Sequence, residues 1–365
     1  MNFLQVEGID VSYGSNRVVR GVSFALGEGS IGCLLGPSGC GKTTVLRAVA
    51  GFEQPSSGEI TIKQQLISGK GRFVPPEQRE IGMVFQDFAL FPHLTVEQNI
   101  QFGINSWSRA DRATRTHELL AMVGMPTLGA AYPHQLSGGQ QQRIALARAM
   151  APRPSVLLLD EPFSSLDVEL REQLAREVRQ ILKQEKVTAV LVTHDQHEAF
   201  AMADEICVMN EGQIQQHDTA YNLYHRPANH FVADFVGEGV IVPGMVVGSN
   251  TVNTELGNIH GLVPVGCKPG CHVDVLVRPD DVVHDDHSDD KAVVVDRAFR
   301  GSDFLYTLRM PSGTGVLSLV PSHHDHKIGE SIGIHLKFDH LVVFKRSEPF
   351  EGDGARFNLD QAVAE

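Results

Sequence analysis

Apolar and polar residues follow two different patterns along the chain, and the change falls near residue 237. Before this point, short apolar runs alternate with stretches in which apolar residues recur at helical spacing, a pattern typical of strands joined by crossover helices. We therefore expect an α/β domain over residues 1–236. From 237 to 350, short apolar segments separated by Gly, Pro, Asp and His turns predict a small all-β domain. Residues 351–365 are polar and are predicted to form a frayed tail.

The same pattern predicts individual elements. The compact apolar runs predicted as strands of the α/β domain are residues 30–35, 156–159 and 189–193. The predicted helices are residues 43–50, 141–150 and 170–186. A further helical patch at 107–125 indicates a helical subdomain, at about residues 87–150, that interrupts the sheet. The strands predicted for the second domain are residues 273–277, 292–295, 304–309, 315–320 and 332–338.

Composition narrows the class of protein. With 365 residues the chain is long enough for two domains, and 42% hydrophobic with 21% charged residues is typical of a soluble globular protein. The net charge of -13 disfavours non-specific binding to nucleic acid, which depends on Lys and Arg. Every apolar run is shorter than the roughly 18 residues that a transmembrane helix needs. A role in a membrane process would therefore require a separate membrane subunit.

The N-terminal residues and the cysteines indicate a compartment. No Lys or Arg precedes Arg17, so the basic start of a secretory signal is absent. The five cysteines are an odd and scattered set, which argues against a disulfide framework and agrees with reducing surroundings. We therefore expect the protein to reside in the cytoplasm.

A glycine-rich turn between a predicted strand and a predicted helix carries the first chemical signal. It matches the pattern G-x-x-x-x-G-K-[ST] with Gly36, Pro37, Ser38, Gly39, Cys40, Gly41, Lys42 and Thr43, followed by Thr44. Glycines let the backbone N–H groups wrap round phosphates, at the positive end of the helix that follows. Lys42 adds a charge for the β- and γ-phosphates, and Thr43 offers a hydroxyl to magnesium. Because strand, turn and helix agree, the motif predicts nucleotide binding rather than a chance glycine-rich turn.

A second signal follows the apolar run at 156–159, which ends in Asp160 and Glu161. Acidic residues at the carboxyl end of a buried parallel strand lie where open α/β sheets bind their ligands. Asp160 is placed to hold magnesium, and Glu161 to orient or deprotonate the attacking water. The alternative, a solvated acidic turn, becomes less favoured beside the phosphate motif.

Leu136 and the four residues that follow it precede the predicted helix 141–150. Ser137 is a suitable N-cap, Gly138 and Gly139 leave backbone N–H groups accessible, and Gln140 completes the segment. This is a second anion-binding helix start in a chain whose nucleotide needs only a single cradle.

These motifs together, in this order, resemble those of ABC transporter ATPases, whose signature is Leu-Ser-Gly-Gly-Gln. The resemblance extends over residues 1–236 and implies a head-to-tail homodimer. Each ATP would lie between the phosphate loop of one copy and Ser137 and Gly139 of the other, so that a two-fold dimer builds two composite sites. A P-loop kinase or GTPase would need neither this segment nor His194.

The resemblance assigns roles to further residues. Tyr13 would stack on adenine, Gln86 would sense the γ-phosphate or magnesium, Asp167 would lie in an acidic loop at the dimer interface, and His194 would contact the γ-phosphate. The alternatives are a surface tyrosine and a structural histidine at a strand end. The implied catalytic set is Glu161, His194, Lys42 and Gln86, and the implied magnesium ligands are Thr43, Gln86 and Asp160.

The same resemblance implies protein partners in a membrane complex. Residues 85–94 resemble the segment whose apolar surface receives a cytoplasmic helix of the permease, which makes Phe88, Leu90 and Phe91 candidate docking residues. Packing inside the subdomain is an equally good interpretation of them. The family implies a peripheral position on the cytoplasmic face of the inner membrane, with an extracytoplasmic substrate-binding protein as an indirect partner.

The transported substrate can be inferred only from likeness. A single cassette followed by a β-rich domain resembles importer subunits for ferric iron, polyamines, sulfate and sugars, and residues 277–282 resemble a motif of their OB-like TOBE domain. Residues 51–55 and 235–239 resemble the ferric iron importers most closely. Ferric iron is therefore the favoured substrate, and a polyamine importer is the nearest alternative. Proteins of another class, a non-transport ABC ATPase or a regulatory binding module, are the remaining alternatives.

Two features of the second domain could bind metal directly. These are the run His323, His324, Asp325 and His326, and the pair Cys267 and Cys271. Histidines suit zinc, copper or nickel better than hard ferric ion. Polar surface turns are the interpretation that the sequence favours for both features.

Overall fold

The computed structural model describes residues 2–338 and 340–346, without the side chains of Val168 and Glu169. The predicted tail, 351–365, lies outside the described residues. The chain divides into two compact units, Met1–Tyr221 and the residues from Asn222 onward. The domain boundary at 236–237 stays a prediction; residues 222–236 belong to the second unit, in which Ala233 packs against apolar side chains of the β strands.

The helices of the described residues are α1 Lys42–Ala50, α2 Val96–Gln101, α3 Arg109–Met122, α4 Gly138–Met150, α5 Val168–Gln184, α6 Gln196–Met202, α7 Ala220–His225 and α8 His230–Val236. The strands of the first unit are β1 Asn2–Tyr13, β2 Asn16–Gly27, β3 Ile31–Leu35, β4 Ser57–Ile62, β5 Gln65–Gly69, β6 Arg72–Phe73, β7 Ile81–Val84, β8 Val156–Asp160, β9 Thr188–Thr193, β10 Glu205–Asn210 and β11 Gln213–Asp218. None of the helices in the described part of the chain is long and apolar enough to span a membrane.

The first unit contains a mainly parallel sheet with the strand order β11-β10-β3-β9-β8-β7. Strands β3, β7, β8, β9 and β10 run parallel, and β11 pairs with β10 in the antiparallel direction. All residues of β3 and β9 are buried, because helices cover both faces of such a sheet and its strands become continuous apolar runs. The predicted α/β class is confirmed.

Helices α2, α3 and α4 lie between β7 and β8 in the sequence, although these two strands are neighbours in the sheet. The structure therefore has the predicted helical insertion. A second, antiparallel sheet has the order β2-β1-β4-β5-β6, which the sequence pattern did not predict. Its apolar side chains and those of α1 belong to the same buried core, so this sheet supports the helix that follows the phosphate loop.

Apart from helix α8 and the end of α7, the second unit is an all-β domain, as predicted. Its strands are β12 Val240–Gly248, β13 Thr251–Thr254, β14 Gly257–His260, β15 His272–Val277, β16 Val282–His284, β17 Lys291–Phe299, β18 Asp303–Arg309, β19 Gly315–Pro321, β20 Ser331–Leu336 and β21 Val342–Lys345. They form sheets of order β14-β13-β12-β15-β21 and β16-β20-β17-β18-β19. Valines of β12 and β15 share a core with Tyr306 and Ile334 of the other sheet. Nearly closed packing of this kind agrees with the expected OB-like fold.

Candidate functional site

The glycine-rich loop between β3 and α1 has the backbone of an anion cradle. Gly39 and Gly41 have φ of +80° and +105°, in the left-handed region that glycine adopts without strain. A Cβ on Gly36 would lie 2.3 Å from the carbonyl oxygen of Met209, so only glycine fits there. A Cβ on Gly39 would meet no atom within 4 Å, which leaves open space beside that backbone. The loop can therefore receive a group that approaches its N–H groups closely.

Lys42 points back into this loop and is only 4% exposed. Its Nζ donates hydrogen bonds to the carbonyl oxygens of Gly36 (2.7 Å) and Pro37 (2.9 Å). Burial raises the pKa of the nearby Cys40 thiol, so the thiol stays neutral and adds no negative charge to the cradle. The loop therefore concentrates positive charge where a phosphate would enter.

Thr43 and Asp160 meet at the carboxyl edge of the sheet. The Oγ1 of Thr43 donates to Oδ1 of Asp160 across 3.1 Å. Burial is the largest influence on Asp160 and raises the pKa of its carboxyl, against the effect of the Thr43 hydrogen bond. A partly buried carboxylate beside a hydroxyl is an oxygen ligand set of the kind that magnesium prefers, and a cation would offset the unfavourable burial of the charge. The residues present therefore fit a magnesium ion.

Glu161 occupies a strained but firmly held position. Its φ is +42°, which is uncommon for a residue with a side chain. The backbone N–H donates to the oxygen of Val192 at 2.9 Å, and its own carbonyl oxygen accepts the hydroxyl of Ser164 at 2.9 Å. His194 Nδ1 lies 3.4 Å from Oε2 of Glu161. Strain that surrounding bonds hold in place is typical of functional residues, and here it brings a carboxylate and an imidazole together.

Behind His194 lies a polar network that sequence reasoning missed. Thr193 Oγ1 donates to the buried Glu198 at 2.5 Å, and Asp195 caps the first turn of α6. Arg171 of α5 donates to Oδ2 of Asp195 at 2.9 Å. Burial raises the pKa of Glu198. The available signal was the N-cap Asp195, followed three residues later by a glutamate before an apolar run. This network fixes the backbone that carries His194.

Arg79, also missed, holds the far end of α1. Its Nη1 donates to the carbonyl oxygens of Ala48 and Val49, each at 2.8 Å, and its Nε donates to Val74 at 2.7 Å. The carbonyls at a helix C-terminus lack partners within the helix and carry partial negative charge. Burial lowers the pKa of Arg79 to about 10, so the guanidinium stays charged at neutral pH. Arg79 therefore positions the phosphate-loop helix without touching its loop.

We expect Arg79→Met to lower the free energy of unfolding by about 3 kcal/mol, because a buried charged donor is lost and carbonyls at the end of α1 lose their partner. Chemical denaturation monitored by circular dichroism measures this change. The matched control is Arg72→Met, an exposed arginine seven residues earlier, which should stay within about 0.5 kcal/mol of the wild type. Equal stability of the two variants would contradict the positioning role of Arg79.

The second predicted cradle lies at the start of α4. Ser137 is the N-cap, its Oγ accepts the N–H of Gln140 at 3.4 Å, and Oε1 of Gln140 accepts the N–H of Ser137 at 2.9 Å. Added Cβ atoms on Gly138 and Gly139 would lie 3.1 and 3.2 Å from leucine methyl groups in and before α5. The glycines therefore also permit close packing inside the subunit. Ser137 is exposed, which leaves this helix start accessible.

Tyr13, Gln86 and Asp167 have different surroundings. Tyr13 ends β1, and 47% of its surface is exposed. The pKa of its hydroxyl is raised, mainly by partial burial and also by a hydrogen bond to Glu53. Val84 pairs with Leu159, so Gln86 follows β7 at the same sheet edge as Asp160. Asp167 caps α5 by accepting the N–H of Leu170 at 3.0 Å. Gln86 and Asp167 are exposed and can meet a ligand or a second copy.

The candidate docking segment has an irregular backbone. Phe88 and Ala89 have φ of +60° and +46°, and Arg148 of α4 donates to both of their carbonyl oxygens. Phe88 is 8% exposed and packs inside the subunit. Phe91 packs on the half-exposed Phe102, with ring centroids 4.4 Å apart. The accessible apolar surface therefore consists of Phe91, Phe102 and the partly buried Leu90.

Comparison with known proteins identifies relatives of both units. The family model described as ABC transporter matches residues 19–164, and the TOBE domain model matches residues 275–344. The Fe(3+) ions import ATP-binding protein FbpC 2 of Haemophilus influenzae is 45% identical over 258 residues, which are 70% of this chain and 72% of the relative. The spermidine/putrescine import ATP-binding protein PotA of Aggregatibacter actinomycetemcomitans is 38% identical over 351 residues, 91% of this chain and 93% of the relative.

Two solved structures resemble the chain as well. CbiO1 from Clostridium perfringens, part of the ABC transporter complex cbiONQ, has 27% identity and a TM-score of 0.58, covering 62% of this chain and 92% of that chain. The ATP-binding cassette MJ0796, dimeric and bound to ADP and Pi in a post-hydrolysis state, has 29% identity and a TM-score of 0.53, covering 59% and 98%.

Proposed function

This chain belongs to the family of ABC transporter ATP-binding proteins, and from that premise we propose that it hydrolyses ATP at a dimer interface to drive the uptake of ferric iron. It is the ATP-binding subunit of an ABC importer. The observation that carries the hydrolytic part is the strained Glu161, held 3.4 Å from His194 at the edge where Thr43 meets Asp160.

Glu161 acts as the general base that orients and deprotonates the attacking water, and His194 contacts the γ-phosphate beside it. Lys42 exchanges its two loop carbonyls for phosphate oxygens, which stabilises negative charge as it develops. Magnesium, held by Thr43, Asp160 and Gln86, would neutralise charge on the phosphate oxygens when bound. Tyr13 is exposed enough to stack on the adenine ring, next to Thr44.

Dimerisation completes the site. Gly138 and Gly139 present backbone N–H groups at the start of α4, and the two-fold arrangement sets this start against the phosphate loop of the second copy. The dimeric cassette among the structural relatives supports this arrangement. ATP drives motion because its phosphates bridge the two copies, and the bridge is lost once phosphate leaves.

Transport requires contact with a permease. Leu90 and Phe91 follow Gln86 closely in the sequence, and Phe102 packs on Phe91 to complete an apolar patch, so the nucleotide sensor lies beside the docking surface. We propose that this patch receives a permease helix on the cytoplasmic face of the membrane, and that an extracytoplasmic binding protein delivers the substrate. Arg148 holds the segment in its irregular shape and so couples it to α4, which carries Ser137.

Ferric iron is the substrate best supported. Relatives from Haemophilus influenzae, Rhodococcus jostii and Rhizobium meliloti that share 41–47% identity with this chain are named Fe(3+) import ATP-binding proteins. A polyamine is the second candidate, because the PotA relative aligns over 91% of the chain.

Uptake by cells tests the substrate directly. We expect deletion of the gene to reduce uptake of radioactive ferric iron, with spermidine uptake unchanged. The wild-type gene should restore iron uptake, whereas the same gene with Lys42→Ala should not. Loss of spermidine uptake with normal iron uptake would favour the polyamine alternative, and unchanged uptake of both would contradict the proposal.

A further inference from the structure

The second unit contains a group of three histidines whose side chains converge. His284 ends β16, and His324 and His326 lie in the turn that follows β19. Each offers a ring nitrogen, and these atoms all lie within 4.8 Å of one another. Nε2 of His284 and Nε2 of His326 are 3.1 Å apart. Elsewhere in the described part of the chain, no other three His, Cys, Asp or Glu side chains converge in this way.

A carboxylate fixes the proton of His326. Its Nδ1 lies 2.9 Å from Oε1 of Glu330, whose other oxygen accepts the N–H of Lys327 at 2.9 Å. An ionised carboxylate can only accept, so in the neutral imidazole Nδ1 of His326 carries the proton and Nε2 presents its lone pair. That lone pair points at His284. Carboxylate–histidine pairs of this kind orient the ligands of metal sites.

The distances suit a shared cation. With metal–nitrogen bonds of 2.0–2.1 Å, two nitrogens on a tetrahedral zinc ion lie about 3.3 Å apart, close to the 3.1 Å between His284 and His326. Asp286 places Oδ1 3.3 Å from Nε2 of His284, where it can supply a fourth ligand. The side chain of His284 is 6% exposed, which shields the cluster on one side.

The turn that carries the other two histidines is firmly held. The hydroxyl of the buried Tyr306 donates to the carbonyl oxygen of His324 at 2.8 Å and accepts the N–H of His326 at 2.9 Å. His323, which directly precedes His324 in the sequence, is exposed and outside the cluster. Support from fixed neighbours is what a preorganised metal site requires.

We propose that His284, His324 and His326 bind one divalent cation of the zinc class, with Asp286 or water as the fourth ligand. Imidazole nitrogens favour such borderline cations over hard ferric iron or magnesium. The ion cross-links β16 to the turn after β19 and stabilises the β domain, because only the folded chain brings these ligands together. Iron that the transporter carries is a different ion and is not expected here.

Zinc binding by the full-length, metal-free protein tests this site. We expect isothermal titration without nucleotide to find one equivalent of Zn²⁺, and the bound ion to raise the melting temperature. His284→Ala and His324→Ala should each weaken binding at least about 100-fold, and Glu330→Gln about 10-fold. The matched control is His335→Ala: this exposed histidine pairs with Val283, one residue from His284 and on the opposite face, so binding should not change.

Cys267 and Cys271 offer a competing zinc site, because their sulfurs lie 3.0 Å apart. Zinc held there would remain in the histidine variants and disappear in Cys267→Ser. Co²⁺ distinguishes the ligands further, since its visible spectrum differs between nitrogen and sulfur donors. Zinc binding that survives both histidine substitutions, or no binding at all, would overturn the proposal. Should His284→Ala fail to fold, His324→Ala on the surface turn decides.

Discussion

A Glu161→Gln variant is expected to hydrolyse ATP at least about 100-fold more slowly than the wild type, while it binds ATP with unchanged affinity. The amide keeps the size and most hydrogen bonds of the side chain but cannot take a proton from water. Hydrogen bonds to Val192 and Ser164 hold the backbone at this position, so the substitution should not change the local conformation. Loss of turnover would therefore report on proton transfer and not on folding.

Phosphate release under saturating ATP measures turnover, and fluorescence of a bound ATP analogue measures affinity. The matched control is Glu80→Gln, a glutamate that also has a positive φ, +53°, but lies before β7 at the opposite edge of the sheet from the nucleotide. Its turnover should equal that of the wild type. Hydrolysis by Glu161→Gln at more than about a tenth of the wild-type rate would exclude Glu161 as the base.

The strands that carry the site could be predicted from sequence because they are buried on both faces. Every residue of β3 and β9 is buried, so each appears as an uninterrupted apolar run between polar loops. Parallel strands also place their carboxyl ends at a single edge, so residues after β3, β8 and β9 had to be near one another. Asp160 and Glu161 could be placed near the phosphate loop in this way, whereas the role of His194 came from the resemblance to the ABC ATPases.

The antiparallel sheet could not be predicted from the sequence because its strands do not keep a regular alternation of buried and exposed residues along their whole length. β1 pairs with β2 through register shifts between Val6 and Ile9 and again between Ile9 and Val11. The first shift places an extra residue in β1, and the second places one in β2 between Val19 and Val22. Each extra residue puts the buried positions of its strand out of phase, so the alternation holds only over short stretches on either side of it.

Contacts between residues that are distant in the sequence are a second feature that could not be predicted. Arg79 meets Ala48 and Val49 about thirty positions earlier, through carbonyl oxygens that every residue possesses, so nothing in the sequence marks its partners. His284 likewise lies forty positions before His324. The histidine run at 323–326 was visible, but its third ligand and its carboxylate partner depended on the fold.

The segment from Leu136 to Gln140 has two roles: it stabilises the start of α4 within the subunit, and it is proposed to contact the nucleotide of a second copy. Gly138 and Gly139 permit close packing on the leucines of α5 and its preceding loop, whether or not a second copy is present. Ser137 and Gln140 cap α4 within the same chain. Loss of activity after a change here could therefore come from lost stability or from a lost dimer contact. A substitution that separates these two causes must keep both glycines. It must also be compared with a second variant that loses a helix N-cap elsewhere in the chain.

Ser137→Arg meets that condition and is expected to abolish ATP-dependent dimerisation and lower turnover about 100-fold. The serine is exposed, so arginine adds bulk outside the subunit, at the helix start that would face the phosphates of the second copy. The chain's own phosphate loop is untouched, and binding of ATP to the monomer should persist. Sedimentation velocity with Glu161→Gln as the background measures the dimer, because that variant retains its ATP.

Loss of the cap alone should lower stability by about 1 kcal/mol, and Ser108→Arg controls for this effect. Ser108 is likewise an exposed N-cap in the helical subdomain, where its Oγ accepts the N–H of Asp111 at 3.1 Å. With equal cap loss and equal added charge, this variant should still dimerise with ATP. Dimers of Ser137→Arg as abundant as those of Ser108→Arg would mean that the second helix start does not hold the shared nucleotide, and a monomer would then own a complete site.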